Sequence, residues 1–453
     1  MRSQKPEIRG QRSAGRIPFS VFLFSVLLST SAQAVTLEDC IQTALTDNPD
    51  AQAAAQRVES ARAAIREAES AYYPQLSLAG TYGRTDNAGQ AMFMALNQRS
   101  LNMMAPGFDI NNPDDTENLR AGIGAKWRLL DGGQRGLYRD MAKLGTDASK
   151  AQEEAIRNEL IYQVTRGYYG VLQAQAFVKV QEETVASLEE NLRVANERFK
   201  AGSAVQTDVL NLEVKMAQAR EDLIRAQNGA RLAVAALNTA IGQDLVPQGP
   251  LPEKERTNLS PPVAQEEDTI DDRAELKAAR LNTRIQENAW KKTRRDYFPT
   301  VSAFGSVDWD SDVSSDFEQS YFAGAMAEWD FFTGFRRGAS TESAKANYEA
   351  ARAQERKARD NLRLDLTQAQ LAIQEAWERL DVASRSLTTA EEALRITQER
   401  YKQGAADITE LLTAQVGLTA TRTRNVVAYY DYLTAQANLK RAQGTLAKEE
   451  ETK

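Results

Sequence analysis

The side chains that most often perform chemistry are scarce in this 453-residue sequence, which contains no histidine and one cysteine, Cys40. It also lacks a glycine-rich phosphate loop and a nucleophile motif, the patterns that mark many catalytic sites. Four of its eight methionines lie within loop 85–118, and thioether sulfurs suit soft metals. Without histidine they do not predict a metal site, so the role of this loop stays open. We predict no enzyme, no metal and no cofactor.

Cys40 has no partner for an internal disulfide. The residues before it, Leu37-Glu38-Asp39, are not the small apolar run that a lipoprotein signal needs. We therefore predict that Cys40 packs as a small apolar residue and carries no lipid.

The elements that would position a site occur twice, at an offset of 202 residues. Glu197–Gly202 reads Glu-Arg-Phe-Lys-Ala-Gly, and Glu399–Gly404 reads Glu-Arg-Tyr-Lys-Gln-Gly. The stretch Trp127–Gly136 recurs as Trp329–Gly338 at the same offset, and the intervening sequence needs no gap. A duplication of this length indicates one architectural unit used twice.

The first 34 residues are typical of a secretory signal peptide. Five basic residues precede the apolar run Val21–Leu28, and Ala32-Gln33-Ala34 is a small-x-small cleavage site. A membrane anchor is the alternative, but the run is too short to span a bilayer. Cleavage after Ala34 changes the net charge from −7 to about −11, so nucleic acid is a poor partner. The predicted organisation is a signal peptide at 1–34, repeat 1 at 35–242, a proline-rich linker at 243–267, repeat 2 at 268–444 and a tail at 445–453.

Long stretches rich in Ala, Gln, Glu, Arg and Leu, with almost no Gly or Pro, predict helices. Within 185–199 and again within 387–401, apolar residues follow heptad spacing, which is typical of a coiled-coil seam. An ordinary amphipathic helix is the alternative, but such helices are several times shorter. A helix of about 67 residues spans roughly 100 Å, so each copy predicts a hairpin in which one long helix faces two shorter ones. The predicted helices are 36–72, 134–200, 204–241, 269–297, 337–402 and 406–443.

Four short segments with alternating apolar residues predict β-strands that each have one lipid-compatible face. Aromatic residues near their ends, such as Trp127 and Trp329, favour a membrane barrel over a pair of soluble hairpins. Four strands cannot close a barrel, and a sheet with open edges is not viable in lipid. Several chains would therefore have to contribute to one barrel. The predicted strands are about 74–84, 119–130, 299–309 and 321–332.

In their order along the chain, these motifs resemble those of the TolC-type outer-membrane efflux proteins. The resemblance covers the mature chain and rests on five kinds of element. They are the opening Leu37–Pro49, the strand-preceding Tyr72-Tyr73-Pro74 and Tyr297-Phe298-Pro299, the two Trp-x-x-x-[Asp/Thr]-Gly-x-x-Arg-Gly motifs, the two Arg-aromatic-Lys-x-Gly motifs, and Thr207–Leu210 with Thr409–Leu412.

The family implies a mainly α fold with a membrane β-barrel. Internally duplicated α-helical hairpins form a periplasmic tunnel, and a homotrimer closes a 12-stranded barrel in the outer membrane, with four strands from each chain. The implied function is an exit duct for a tripartite efflux pump or a type I secretion system, with a periplasmic adaptor and an inner-membrane pump as partners. Drug, metal and protein cargo all stay open. A periplasmic coiled-coil scaffold or adaptor is the alternative, but adaptors lack the paired strand insertions.

The resemblance places Gly202 and Gly404 at the hairpin tips, where an adaptor would dock, and glycine suits such turns. It implies that Asp208 bonds across to Tyr401 and holds the entrance shut. It also implies that Glu410, in three copies, forms a cation-attracting ring. The alternative for both acids is an ordinary position in a first helical turn, which the helix dipole favours.

Two positions depart from the best-known member of the family. That member has an arginine where this sequence has Ala406, and a second acidic residue where it has Thr413. The differences imply a weaker lock and a less negative entrance, so block by calcium or other cations is not predicted.

Overall fold

The part of the chain that the structure describes forms long helices and one small sheet. The computed structural model describes residues 35–106, 108–246, 251, 259–262, 269–312 and 316–446. The predicted signal peptide, most of the linker and the end of the tail lie outside these ranges. In chain order the elements are α1 (Leu37–Asp47), α2 (Pro49–Ser70), β1 (Gln75–Thr85), α3 (Ala88–Asn97), β2 (Thr116–Leu130), α4 (Gln134–Lys200), α5 (Gln206–Ile241), a 3-10 turn (Thr269–Asp272), α6 (Ala274–Arg295), β3 (Thr300–Ser311), β4 (Glu318–Glu328), α7 (Arg336–Lys402) and α8 (Ile408–Gln443).

The two longest helices, α4 and α7, each contain 67 residues and therefore extend for about 100 Å. Helix α4 packs against α2 and α5, and α7 packs against α6 and α8. The predicted arrangement of one long helix facing two shorter ones is confirmed in both copies. Helix α4 also packs against α6 and α8, so it joins the two copies along its length.

Two predicted helices are divided in the structure. Instead of one helix over 36–72, α1 ends at Asp47 and α2 begins at Pro49. Proline has no N–H to continue the hydrogen bonding of α1 but suits the first position of a new helix. Asn48 between them caps α2, because its side chain accepts from the Asp50 N–H at 2.7 Å. The segment predicted as 269–297 likewise divides into the 3-10 turn and α6.

All four strands form one antiparallel sheet in the order β1-β2-β3-β4. The register aligns apolar residues on one face: Leu78 lies opposite Ile123, Ile123 opposite Val307, and Val307 opposite Tyr321. The row three residues further along the strands, Thr81, Arg120, Asp310 and Glu318, belongs to the other face, because successive side chains in a strand alternate between faces. The sheet therefore has one apolar face and one mostly polar face, called the polar face below, on which Phe304 and Phe322 form an aromatic pair.

Two predictions in the sheet region were wrong in detail. The fourth strand does not extend to 332, because β4 ends at Glu328. The segment after it instead carries Trp329, whose Nε1 donates to the Tyr297 carbonyl at 3.1 Å. The connection between β1 and β2, expected to be a loop, contains the helix α3.

The duplicated tryptophans form hydrogen bonds at the junction between the sheet and the helices. Trp127 Nε1 donates to the carbonyl of Tyr72 at 2.9 Å, as Trp329 does to Tyr297 in the second copy. Each bond ties the end of a strand to the residue pair that leads from a shorter helix into the preceding strand. The motif that repeats in the sequence therefore sets the junction between helices and sheet.

The largest buried cluster gathers residues from α1, the middle of α4, α5, α7 and α8. Cys40 belongs to it and is fully buried, which confirms that this cysteine packs as an apolar residue. Burial raises the pKa of its thiol to about 11, so the thiol stays protonated and unreactive near neutral pH.

Across the described residues, none of the helices combines the length and the apolar character needed to cross a membrane.

Candidate functional site at the hairpin tips

Both helical hairpins end in a turn that contains a left-handed glycine. The φ angle is 74° at Gly202, between α4 and α5, and 78° at Gly404, between α7 and α8. Residues with a Cβ rarely adopt such angles. The structure therefore places both glycines at the tips, and their part in docking an adaptor stays a prediction.

The two tips pack against each other through a buried apolar cluster, here called the tip cluster. It contains Leu188 and Ala195 of α4, Leu212 of α5, Tyr401 of α7 and Leu411 of α8. All five are at most 5% exposed. Burial on this scale holds the two hairpins together as one body.

Polar contacts extend this packing along α4 and α8. Ser187 Oγ donates to Gln415 Oε1 at 2.7 Å, and the Arg422 guanidinium meets Glu183 at 2.8 Å. The two helices therefore lie side by side for several turns above the tips. Within one chain the order across this part of the wall is α5, α4, α8, α7.

Arg198 is the main polar link between the two tips. Its Nη1 donates to the carbonyl of Tyr401 on the other hairpin, and its Nη2 donates to the Ser203 carbonyl at 3.1 Å within its own turn. The guanidinium carbon also lies 4.7 Å from the centre of the Tyr401 ring, a cation–π geometry. Because Tyr401 is in the last turn of α7, the positive charge also complements the dipole of that helix.

Arg400 is the counterpart of Arg198 in the second copy, but its contacts stay within its own hairpin. Its Nη2 donates to the Ala405 carbonyl at 2.9 Å, and its Nη1 lies 3.1 Å from Glu410 Oε2. The Glu410 N–H in turn donates to Asp407 Oδ1 at 2.8 Å, so Asp407 caps α8. Glu410, the candidate for a cation-attracting ring, is therefore partly neutralised by an arginine.

Within the described part of one chain, no hydrogen bond joins Asp208 and the Tyr401 hydroxyl, and the roles of Asp208, Tyr401 and Glu410 at the entrance stay predictions. Tyr401 is 2% exposed, and its hydroxyl has no hydrogen-bond partner among the described residues. The reason is the position of the ring, which lies beneath Arg198 within the tip cluster. Burial raises the pKa of Tyr401, and the nearby charge of Asp208 raises it further against the opposing effect of Arg198.

The two positions that depart from the family pattern have local roles. Ala406 is buried in the tip cluster. Thr413 is exposed and its hydroxyl donates to the Thr409 carbonyl one turn earlier at 2.7 Å.

The roles of Arg198 and Asp407 were not foreseen from the sequence. Asp407 could have been found, because an aspartate three residues before Glu410 at a helix start is a capping signal. The contact of Arg198 with Tyr401 joins residues 203 positions apart, and no local pattern encodes such a pair.

Comparison with known proteins gives a consistent result. A family model described as outer membrane efflux protein matches residues 40–243 and 267–445. The outer membrane protein TolC of Vibrio cholerae is 22% identical over 438 residues, covering 93% of this chain and 94% of that protein. The alkaline protease secretion protein AprF of Pseudomonas aeruginosa is 23% identical over 443 residues, covering 93% and 87%.

The fold is also shared with solved structures. The CmeC outer membrane channel of Campylobacter jejuni superposes with a TM-score of 0.79 at 16% identity, covering 99% of this chain and 97% of that one.

Proposed function

Because the chain belongs to the outer membrane efflux protein family, we propose that it forms a homotrimeric exit duct of the outer membrane. The duct receives cargo from a periplasmic adaptor and, through it, from an inner-membrane pump. The helices form the periplasmic tunnel, and the strands form the wall that crosses the membrane. Transport through such a duct is passive and needs no catalytic residue.

The observation that carries the proposal is the four-stranded sheet with one apolar face and two open edges. Leu78 on β1 is 79% exposed and Tyr321 on β4 is 82% exposed. Apolar side chains of this size are costly in water and favourable in lipid. In lipid, however, the unpaired backbone groups of β1 and β4 need partners. The edge strands of neighbouring chains supply them.

Three copies are the smallest number that leaves a channel. Two copies would give eight strands, and the interior of an eight-stranded barrel is filled by side chains. Three copies give twelve strands, and every neighbouring pair is antiparallel because β1 and β4 run in opposite directions.

The helical part supports the same assembly. Helices α5 and α7 lie at the two edges of the wall, with α4 and α8 between them. Both carry exposed apolar residues: Leu210, Val214 and Ile224 on α5, and Leu371 and Val382 on α7, are each about half exposed or more. A contact between α7 of one copy and α5 of the next would bury these residues. The tip cluster buries apolar residues between α4 and α8 in the same way.

At the tunnel end, the tips that carry Gly202 and Gly404 meet the adaptor. Arg198 and Tyr401 hold the two hairpins of each chain together there, and Asp208 and Glu410 bring acidic groups to the entrance. The charge at Glu410 is moderated by Arg400, which is consistent with a less negative entrance.

Membrane extraction separates this function from that of a periplasmic scaffold. An integral barrel stays in the envelope fraction during salt washes and requires detergent for release, and cross-linking in detergent then gives a species of three chains. Release by salt alone would contradict the barrel and favour the scaffold.

Substitution at the tips tests the docking role. Gly202→Val and Gly404→Val should abolish export while trimers persist, because valine is strongly disfavoured at these positive φ angles. Gly417→Val is a matched control, since Gly417 lies within α8 with open space around it. Normal export by both tip variants would refute the assignment. Photo-cross-linking from Ser203 then identifies the adaptor and, through it, the cargo.

A further inference from the structure

Helix α3 lies on the polar face of the sheet, at the end away from the tunnel helices. A Cβ built on Gly83 of β1 would lie 3.7 Å from the terminal methyl of Met94. Gly83 pairs with Asn118, and both belong to the same face as Arg120 and Asp310. In a barrel this face lines the lumen, so α3 lies inside the mouth of the channel rather than outside it.

A buried polar network fixes the end of α3 to the sheet. Gln98 Nε2 donates to the Glu117 carbonyl at 2.6 Å and to Asn118 Oδ1 at 2.9 Å. Asn118 Nδ2 donates to Asp310 Oδ1 at 2.7 Å, and Arg120 Nε donates to the same oxygen at 2.8 Å. Asp310 is fully buried. A charged residue beside an open channel would normally be exposed, so its burial shows that the attached segment covers this part of the sheet.

A second attachment carries the segment across the sheet to β4. Arg99, with a φ of 54°, ends α3 in the left-handed conformation. Its guanidinium meets Glu318 at 3.2 Å and donates to the Gln319 carbonyl at 3.4 Å. The segment is therefore attached to both β2 and β4, and it crosses β3 between them.

Large apolar residues are exposed on the side of α3 that faces away from the sheet. Ala91 and Gln98 are buried, whereas Phe93 is 69% exposed and Leu96 is 45% exposed. Shortly after the helix, Met104 is 95% exposed. An isolated surface helix would normally have polar residues on this side.

We propose that α3 and residues 99–106 form an apolar constriction inside the outer mouth of the channel, held to the sheet by Gln98 and Arg99. The proposal rests on the trimeric duct described above, in which threefold symmetry brings three copies of Phe93, Leu96 and Met104 around one axis. Apolar constrictions hinder water and large polar solutes. The segment therefore limits the size of solutes that enter from outside.

A cysteine reporter inside the barrel tests this inference on intact cells. Ser77 is on the polar face, about 20 Å along β1 from Gly83 toward the tunnel, and Ser77→Cys is conservative. Leu78→Cys places the control on the apolar face. Native Cys40 is fully buried and does not compete. Labelling rates are measured with a small charged thiol reagent and with a maleimide carried on a large polyethylene glycol.

Two changes remove the constriction. Residues 86–115 are replaced by Asn-Gly, which can close the hairpin because Thr85 pairs directly with Thr116. The second change, Gln98→Glu, keeps the shape but removes the donor and places a negative charge next to the Asn118 amide oxygen and the Glu117 carbonyl, its present acceptors. Gln90→Glu is the matched control, because Gln90 uses its carbonyl oxygen as an acceptor from Thr85 and a carboxylate accepts equally well.

With Ser77→Cys, polymer labelling should rise on the order of tenfold on excision, rise less with Gln98→Glu, and stay unchanged with Gln90→Glu. Equal polymer labelling with and without the segment would overturn the constriction while leaving the duct intact. Reaction of Leu78→Cys but not Ser77→Cys with the small reagent would instead contradict the orientation of the sheet, and with it the duct. If the excised chain fails to insert, the comparison of Gln98→Glu with Gln90→Glu decides instead. Equal polymer labelling of these two variants would overturn the constriction.

Discussion

The two hairpin tips have the same backbone turn and different electrostatics. Each has a glycine with φ near 75° and an arginine four residues before it. In the first copy Arg198 reaches across to the other hairpin, whereas in the second Arg400 pairs with Glu410 of its own. Duplication supplied two equivalent arginines, and the neighbours of each decided its role.

The two tips also differ in the burial of the aromatic residue after each arginine and in the cap of the following helix. Phe199 is 42% exposed, whereas its counterpart Tyr401 is 2% exposed. Asp407 caps α8, whereas Val205 occupies the corresponding place before α5 and provides no side-chain cap. The first tip therefore donates its arginine contacts to the second tip, whereas the polar contacts of the second tip stabilise its own turn and the start of α8. Substitutions that exchange these features test the distinction.

The largest effect is expected from removing Arg198. Arg198→Ala loses the charged hydrogen bonds and the ring contact, together worth about 2–4 kcal/mol, so amides at the tips should exchange hydrogen roughly 30-fold faster or more. Arg400→Ala loses a half-exposed ion pair and a hydrogen bond within its own turn but no contact with the other hairpin, so it should change exchange much less. Arg198→Lys should give an intermediate exchange rate, because lysine keeps the positive charge but lacks the planar guanidinium that donates to two carbonyls at once. Equal effects of the two alanine variants would show that the tips are not distinct.

A smaller effect of opposite sign is expected from Tyr401→Phe, which makes the second tip like the first. The Tyr401 hydroxyl is buried without a partner, so its removal should stabilise the tips by about 1 kcal/mol. Because the pKa of Tyr401 is raised in the folded chain, the wild type should lose further stability relative to the variant above pH about 10, where the unfolded tyrosine ionises. Destabilisation at neutral pH, measured by thermal unfolding, would instead indicate a bond to Asp208.

The elements were predicted well wherever composition alone determines them. Helices α4 and α7 lie within one residue of their predicted bounds, because long runs of strong helix formers contain no proline to interrupt them. The break at Pro49 was missed although proline signalled it. Helix α3 was missed because glycine and proline elsewhere in the same connection suggested a loop, although Asn87 is a capping residue and Ala91–Leu96 favour helix.

The site was less predictable than the elements. The duplicated glycines located both tips, since a turn between two long helices needs a positive φ angle. The partner of Arg198, however, depends on α4 lying beside α8, which is a tertiary fact. The apolar residues Phe93, Leu96 and Met104 were visible in the sequence, but the position of α3 on the polar face follows only from the contacts with Gly83 and Asn118.

The helix caps provide a third test of the comparison. Asp407→Ala should destabilise the start of α8 by about 1 kcal/mol, the usual value of an N-cap. Val205→Asp should stabilise the start of α5 by up to about the same amount, because it supplies the cap that the first copy lacks. Hydrogen exchange of the first turns of α5 and α8 measures both. No change in α5 would mean that its exposed Val205 already has a stabilising role, such as contact with a neighbouring chain.

The smallest effect is expected in ion selectivity. Glu410→Ala should lower the cation preference of single channels slightly, because Arg400 already offsets that charge, and Arg400→Ala should raise it by freeing Glu410. Asp208→Ala should lower it more than Glu410→Ala, since Arg198 donates to carbonyls rather than to Asp208. Reversal potentials in a salt gradient measure all three, and the double variant of Arg400 and Glu410 should return close to wild type. If Glu410→Ala shifts the reversal potential more than Asp208→Ala does, the ion pair between Arg400 and Glu410 does not persist in the open channel. The two tips would then differ in structure without differing in charge.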